Sequence, residues 1–284
     1  MIRIFTDNAA NLPQDIIDGY GLKILHLPYT VDGTPANENG EFDAEKFFEA
    51  MRQGAVVKTS MPSPGKAAME IETSLKEGDD VICICLSGGI SGTYGMLCSA
   101  AKKLSERYPE RQIRIIDAKG ASLGEGQHAI EAAVLRDEGK TFDEICEHVL
   151  GQIERMNQYF VVDNIKYIKR TGRLWGGVSA ALNALTIKPI LFGNEEGHIV
   201  IRGIARGKKR AVEKLADLYA EKHTDGEEQV GIAHADCRED ADRLVELLRQ
   251  AGQTGPIRVV GYEPVTGSHV GPGTLALFFY GEKR

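Results

Sequence analysis

Residues 81–94 read VICICLSGGISGTY, and no other stretch limits the fold as tightly. Its first six residues are apolar or thiol without alternation, the pattern of a strand buried on both faces. A loop of glycines, serines and one threonine follows, and residues 95–108 then read as a helix. A buried strand that opens through such a loop into a helix N-terminus is a place to hold an anion. The loop's N–H groups are expected to be free, and the helix dipole adds partial positive charge.

Strands and helices alternate around this unit. Residues 2–6 read as a strand ending in Asp7, 13–19 as a short helix, and 22–31 as one extended segment closed by the turn Asp32-Gly33. Helical spacing recurs over 42–52, 66–75 and 121–137, with a strand at 113–117. Over 142–156, Phe142, Ile145, Cys146, Val149, Ile153 and Met156 fall on one helical face, behind a Thr141/Glu144 capping box. After Tyr159 the character changes, and the domain boundary falls near residue 157. Strands are expected at 159–162, 188–192, 198–202, 229–235, 257–262 and 274–280, with a hairpin near 193–197 and helices over 206–223 and 239–250. The sum is an α/β fold of two domains. Residues 1–157 form a doubly wound, mainly parallel sheet, and residues 158–284 form a mixed-sheet α/β domain, with a ligand in the crevice between them.

Composition narrows the function. The formal charge of −7 argues against nucleic acid, which needs a concentrated basic face. No secretory signal pattern opens the chain, and no apolar run approaches the ~18 residues of a membrane helix, so a cytoplasmic location is expected. The five cysteines are scattered without a CxxC pair, so no metal site is expected from them. Cys83 and Cys85 read as core residues on one face of a strand. His234-Ala235-Asp236-Cys237 lacks a second spaced pair of ligands and is not read as a metal site.

Five segments carry the polar chemistry. Thr6-Asp7-Asn8 ends the first strand, where ligands sit in an open sheet, although Asp7 or Asn8 also suits a cap. Thr59-Ser60-Met61-Pro62-Ser63-Pro64 is a stiff loop in which Ser63 is placed to cap the next helix. The glycine loop lacks the Gly-Lys-Ser/Thr of a nucleotide triphosphate site. Threonine stands where a nucleophile elbow has its second glycine, so Ser91 reads as a donor more readily than a nucleophile. Residues 166–175, KYIKRTGRLW, form a basic turn with no helical repeat, and Arg202, Arg206, Lys208, Lys209 and Arg210 add charge beyond it. In 266–274, TGSHVGPGT, His269 precedes a tight Gly-Pro-Gly turn and suits an anion donor or proton shuttle.

Taken in order, TDNAANLP (6–13), TSMPSP (59–64), SGGISGTY (87–94), IDAKGASLGEG (116–126), IKRTGRL (168–174), IKPIL (187–191) and SHVGPG (268–273) resemble the DegV family from end to end. Asn8, Met61 and Thr171 depart from the family's usual residues. The resemblance implies a two-domain protein that holds one long-chain fatty acid and serves, in some members, as the binding subunit of a fatty acid kinase. A separate catalytic subunit then phosphorylates the carboxylate with ATP. By the same resemblance Thr59, Ser91, the Gly92 amide and His269 hold the carboxylate, with Asp7 and Ser60 as polar support. Arg173 and Arg202 meet the kinase or the transferred phosphate.

The physical reading is compatible: a carboxylate needs a few oriented donors. A tail of ~16 carbons, at roughly 0.8 kcal/mol per buried CH₂, demands a long apolar tunnel. Residues 178–185 and the alanines of the helix from Ala121 are the candidate lining. The expected protein has no catalytic residue, metal or cofactor of its own beyond the bound fatty acid. It has no integral membrane segment and is compatible with transient membrane contact. Two alternatives stay open: a serine esterase using Ser91 and His269, and a lipid sensor with a partner other than a kinase.

Overall fold

The computed structural model describes residues 1–36, 42–176 and 186–284. The strands of the first half are β1 (Ile2–Asp7), β2 (Lys23–Leu25), β3 (Tyr29–Val31), β4 (Thr34–Pro35), β5 (Val57–Thr59), β6 (Asp80–Cys85) and β7 (Ile113–Asp117). Those of the second half are β8 (Met156–Val161), β9 (Ile187–Gly193), β10 (Ile199–Arg206), β11 (Val230–His234), β12 (Ile257–Gly261) and β13 (Leu275–Tyr280). The longer helices are α2 (Ala44–Arg52), α3 (Pro64–Lys76), α4 (Thr93–Arg107), α5 (Leu123–Asp137), α6 (Phe142–Ile153), α8 (Lys208–Lys222) and α9 (Arg238–Gln250). Three are short: α1 (Gln14–Gly19), α7 (Lys166–Arg170) and α10 (Pro264–Val270).

Strands β2-β1-β6-β7 form a parallel sheet with β6 inside it. The unalternating VICIC run has the burial expected of such a strand. Val81, Cys83 and Cys85 pack with Ile71 of α3 and Leu97 of α4. Ile82 and Ile84 pack on the other face, with Ala129, Ala132 and Ala133 of α5 and Ile145 and Val149 of α6. The sheet is therefore doubly wound, and its two cysteines are core residues, as expected.

The second sheet has the order β10-β9-β8-β13-β11-β12, with β11 and β12 parallel and the other pairs antiparallel. Helices α8 and α9 cover one face through Leu215, Tyr219, Leu244 and Leu248. Alternate residues reach opposite faces. Tyr159 and Leu277 join that helical layer, while Phe160 and Phe278 face the other way. Helix α5 belongs to both sheets: its alanines pack on the first, and Leu123 sits in a cluster with Ala276 and Phe278 of the second.

A three-stranded sheet, β4-β3-β5, completes the structure. The extended segment expected at 22–31 is split: β2 joins the parallel sheet and β3 the small one. Pro28, which has no N–H to give a ladder, stands just before β3. Phe48 and Met51 of α2 pack with Tyr167, Tyr262 and Val270, so this segment reaches across to the second half of the chain.

Other expectations change with tertiary context. Met156 starts β8 and is not on the face of α6, which ends at Ile153. The basic turn contains α7, whose Tyr167 and Ile168 are buried. The TGSHV stretch is helical, opened by Pro264 behind the N-cap Glu263. Gly267 hid this helix from propensity, and the close approach of the Phe48 ring, 2.9 Å from where a Cβ would stand, accounts for the glycine. Asp7 does cap the turn at Asn8–Ala10, and the Thr141/Glu144 capping box forms. Ser63 holds the N-cap position of α3 without a side-chain bond.

The two large sheets meet where the glycine loop touches the β9–β10 turn. The Ser87 hydroxyl donates to the Gly197 carbonyl at 2.9 Å. A Cβ on Gly89 would stand 2.7 Å from the Gly197 carbonyl carbon, which is backbone and cannot swing aside. Gly89→Ala is therefore expected to destabilise the protein by about 1–3 kcal/mol in urea unfolding. Gly95→Ala is the control. Nothing lies within 4 Å of its Cβ position on α4, so it is expected to be neutral or slightly stabilising.

Candidate functional site: a cavity between the sheets

A cavity of about 740 Å³ opens between the glycine loop, α10, the α7 segment and the inner face of the second sheet. That size is within the range of small-molecule sites. Phe160 and Phe278 form its sheet wall, and Leu86, Ile90, Ile168 and Val265 add apolar surface. The alanines of α5 expected in the lining are instead core residues of the first sheet; only Ala121, before the helix, reaches the cavity. The expected lining at 178–185 lies outside the described residues.

Polar residues from four distant segments gather at this cavity. Thr59 ends β5, Ser91 and Gly92 lead into α4, His269 is in the last turn of α10, and Arg173 follows α7. The Thr59 hydroxyl and His269 Nε2 are 2.8 Å apart. His269 Nδ1 is buried without a hydrogen-bond partner among the described residues. Burial, followed by the charges of Arg173 and Arg170, pushes the His269 pKa down to about 4, so the ring is neutral at pH 7. A neutral ring and a hydroxyl share two hydrogens, one of them used between the pair. With Nε2–H donating to Thr59, the hydroxyl hydrogen is left to face the cavity; with Thr59 donating to Nε2, the second hydrogen stays on the buried Nδ1.

The glycine loop is less open than the sequence implies. Asp117 accepts from the Gly88 amide, the Ser87 hydroxyl accepts from Gly89, and the Ser87 carbonyl accepts from Ile90 and Ser91. The Gly92 amide is left without an intramolecular acceptor among the described residues. Ser91 Oγ accepts from the Thr93 amide at 3.3 Å and lies 2.9 Å from the Thr93 hydroxyl. With Thr93 donating in both contacts, the one Ser91 proton remains for a ligand.

Ser60 lines the cavity beside Thr59, its amide donating to the Pro28 carbonyl. Asp7 does not line it. Its carboxylate lies beneath, accepting from the amides of Ala9 at 2.9 Å and Leu86 at 3.0 Å, and so fixes the loop from below. Arg173 donates to the carbonyls of Ile90 and Thr171. Arg202 is not brought to the cavity: it is exposed at a bulge in β10, where its charge acts on Tyr159 of the opposite sheet face. Among the described residues, no group of three or more His, Cys, Asp or Glu is placed to hold a metal ion.

The sequence reading passed over Ser122 and Tyr262, both in the cavity wall. A signal existed. Gly120-Ala121-Ser122-Leu123-Gly124 has the Gly-x-Ser-x-Gly spacing that residues 89–93 lack. Ser122 has φ 55° and ψ −141°, a strained conformation for a residue with a Cβ.

Buried acids lie under this wall. Burial pushes the Asp7 pKa up to about 6 and that of Glu263 up to about 7, and holds Glu125 well above the usual range. Glu263 is protonated more readily folded than unfolded. Its contribution to stability is therefore full below its unfolded pKa and lost as pH rises through about 7. Glu263→Gln removes that loss. Urea unfolding of the two proteins between pH 5 and 8 is expected to shift in the variant's favour by about 2–3 kcal/mol as pH rises. Parallel profiles would contradict the assignment.

Comparison with known proteins agrees with this architecture. A family model described as "Uncharacterised protein, DegV family" matches residues 1–282. A DegV domain-containing protein of Clostridium perfringens is 33% identical over 284 residues, covering 99% of this chain and 98% of its own. A DegV family protein from Ruminococcus gnavus, refined with vaccenic acid, superposes with a TM-score of 0.88 at 26% identity, covering 98% of this chain and 99% of its own. A fatty acid binding DegV family protein from Streptococcus agalactiae gives a TM-score of 0.87 at 29% identity, covering 100% and 99%. With the match running through both sheets and every segment that builds the cavity, this chain belongs to the DegV family.

Proposed function

We propose that the protein binds one long-chain fatty acid, its carboxylate at Thr59, Ser91, the Gly92 amide and His269 and its tail along the apolar wall. It then presents the carboxylate to a separate kinase subunit, which uses ATP to make an acyl phosphate. It works in the cytoplasm and contributes no catalytic residue. The observation that carries the binding reading is the set of uncharged donors from distant segments at an otherwise largely apolar cavity. A charge enters such a space only if hydrogen bonds replace its water. The nearby Arg173 and the dipole of α4 add favourable potential. Burying a tail of ~16 carbons supplies on the order of 10 kcal/mol before ordering costs. The Ruminococcus and Streptococcus relatives support the same ligand class.

The kinase reading rests on the family resemblance and on the cations of the α7 segment. Lys166, Lys169, Arg170 and Arg173 would face a transferring phosphoryl group, whose charge needs such partners. No general base is required of this chain. The esterase alternative needs Ser91 paired with a base. Ser91 is bonded to Thr93, while His269 is bonded to Thr59. A lipid sensor would share the pocket and differ only in its partner.

Lipid extraction of the purified protein followed by mass spectrometry is expected to yield a fatty acid, and emptied protein is expected to take up oleate or palmitate. Failure of both overturns the reading. Ser91→Ala and Thr59→Val should each weaken binding by about 1–3 kcal/mol, the loss of a donor to a charged acceptor. Arg173→Ala should spare binding and impair acyl phosphate formation by an added kinase subunit with ATP. An equal loss of binding would make this arginine part of the carboxylate site instead.

A further inference from the structure

The cavity contains polar groups that carboxylate binding does not use. Ser122 stands at the N-cap of the fifteen-residue helix α5, yet its hydroxyl caps nothing. Only 2% of the residue is exposed, and Oγ has no hydrogen-bond partner among the described residues. Its backbone holds positive φ, anchored by the Ser122 amide donating to the Ala9 carbonyl at 2.7 Å. Tyr262 is 3% exposed and lines the same wall, its phenol a close neighbour of the Ser122 hydroxyl without an aligned bond between them. A buried hydroxyl left unpaired is costly, and so is a strained serine at a helix start.

This pair is apart from the carboxylate donors. Ala121 packs in a cluster with Ala9, Leu86 and Val265. Val265 is one helical turn, about 6 Å, before His269 along α10. A chain whose carboxylate is at His269 would therefore pass Ser122 and Tyr262 several methylenes further down. The chemistry of the neighbours selects what they can take. Glu125 accepts from the Thr6 hydroxyl three residues into α5, and Glu263 is adjacent to Tyr262. With these buried acids and Asp7 close by, a second anion is disfavoured. A neutral oxygen is favoured, because two hydroxyls can both donate to it and accept from it. Nucleophilic use of Ser122 lacks a base, since nothing among the described residues hydrogen-bonds its Oγ.

We infer that Ser122 and Tyr262 form a second polar anchor inside the tunnel, which selects acyl chains bearing a hydroxyl or oxo group part-way along their length. This rests on the fatty acid reading above. The competing occupant is an ordered water, which satisfies the same hydroxyls and gives no preference among ligands.

The test compares stearate with a series of monohydroxystearates that differ in hydroxyl position, by calorimetric titration of delipidated protein. One position, or two adjacent ones, is expected to bind at least about fivefold tighter than stearate, the effect of one to two added hydrogen bonds. The hydroxystearate-to-stearate ratio should fall to one or below in Tyr262→Phe and in Ser122→Gly, the latter suiting the positive φ. If stearate binds and no isomer gains, or if the gain survives both substitutions, the anchor is refuted while fatty acid binding stands. If neither stearate nor any isomer binds, the fatty acid reading itself falls.

Discussion

The cavity depends on a contact between two stretches of backbone with no side chain to separate them. Ser87 donates to Gly197, and Gly89 lies so close to the same turn that a Cβ would strike its carbonyl carbon. Through this contact the loop after β6 is held to the β9–β10 hairpin, and the first sheet to the second. The glycines of the loop thus serve closure between the sheets. Most of the loop's amides are spent on Ser87 within it and on Asp117 at the end of β7, which makes it rigid. A rigid loop aims Ser91 and the Gly92 amide without further ordering cost, the condition for a donor set to be worth more than its exposed equivalent.

Closure also explains the electrostatics. The site collects hydroxyls, an amide and a neutral imidazole, with the guanidinium of Arg173 held by carbonyls at its side. His269 is kept neutral by burial and by the arginines near it. A neutral Thr59–His269 pair leaves the Thr59 hydrogen free for the cavity when Nε2–H donates to Thr59. Asp7 beneath the glycine loop, Glu125 on α5 and Glu263 at the start of α10 are buried carboxyl groups whose pKa values burial raises. On the reading proposed above, the cavity is divided between a carboxylate end and a neutral wall at Ser122 and Tyr262. A ligand with one charged end and a long neutral body suits that division.

Much of the fold was legible because it rests on local pattern. The VICIC run announced a strand buried on both faces, and the structure places it inside a doubly wound sheet. The Thr141 capping box and the β9–β10 hairpin follow from residues a few positions apart. Failures came where tertiary contacts override propensity. Gly267 disguised α10 because the Phe48 ring requires it. The 22–31 segment divided because its two ends pair with different sheets. Met156 has helical phase with α6 but pairs with Tyr280 in the second sheet.

For the site, the sequence by itself determined the chemical types: hydroxyls before helices, a histidine before a Gly-Pro-Gly turn, and arginines in a basic segment. It did so because loop ends, helix starts and tight turns demand particular residues. Only the tertiary structure decided which of them meet. Thr59 and His269 touch across 210 positions of sequence, while Arg202, equally plausible by charge, is turned to the far face of β10. Spacing along a chain carries no record of a contact made by sheets folding against one another. The strained, unpaired Ser122 is likewise visible only once its loop is seen against the cavity wall, since its φ and its lack of a partner are set by the packing around Ala9 and Tyr262.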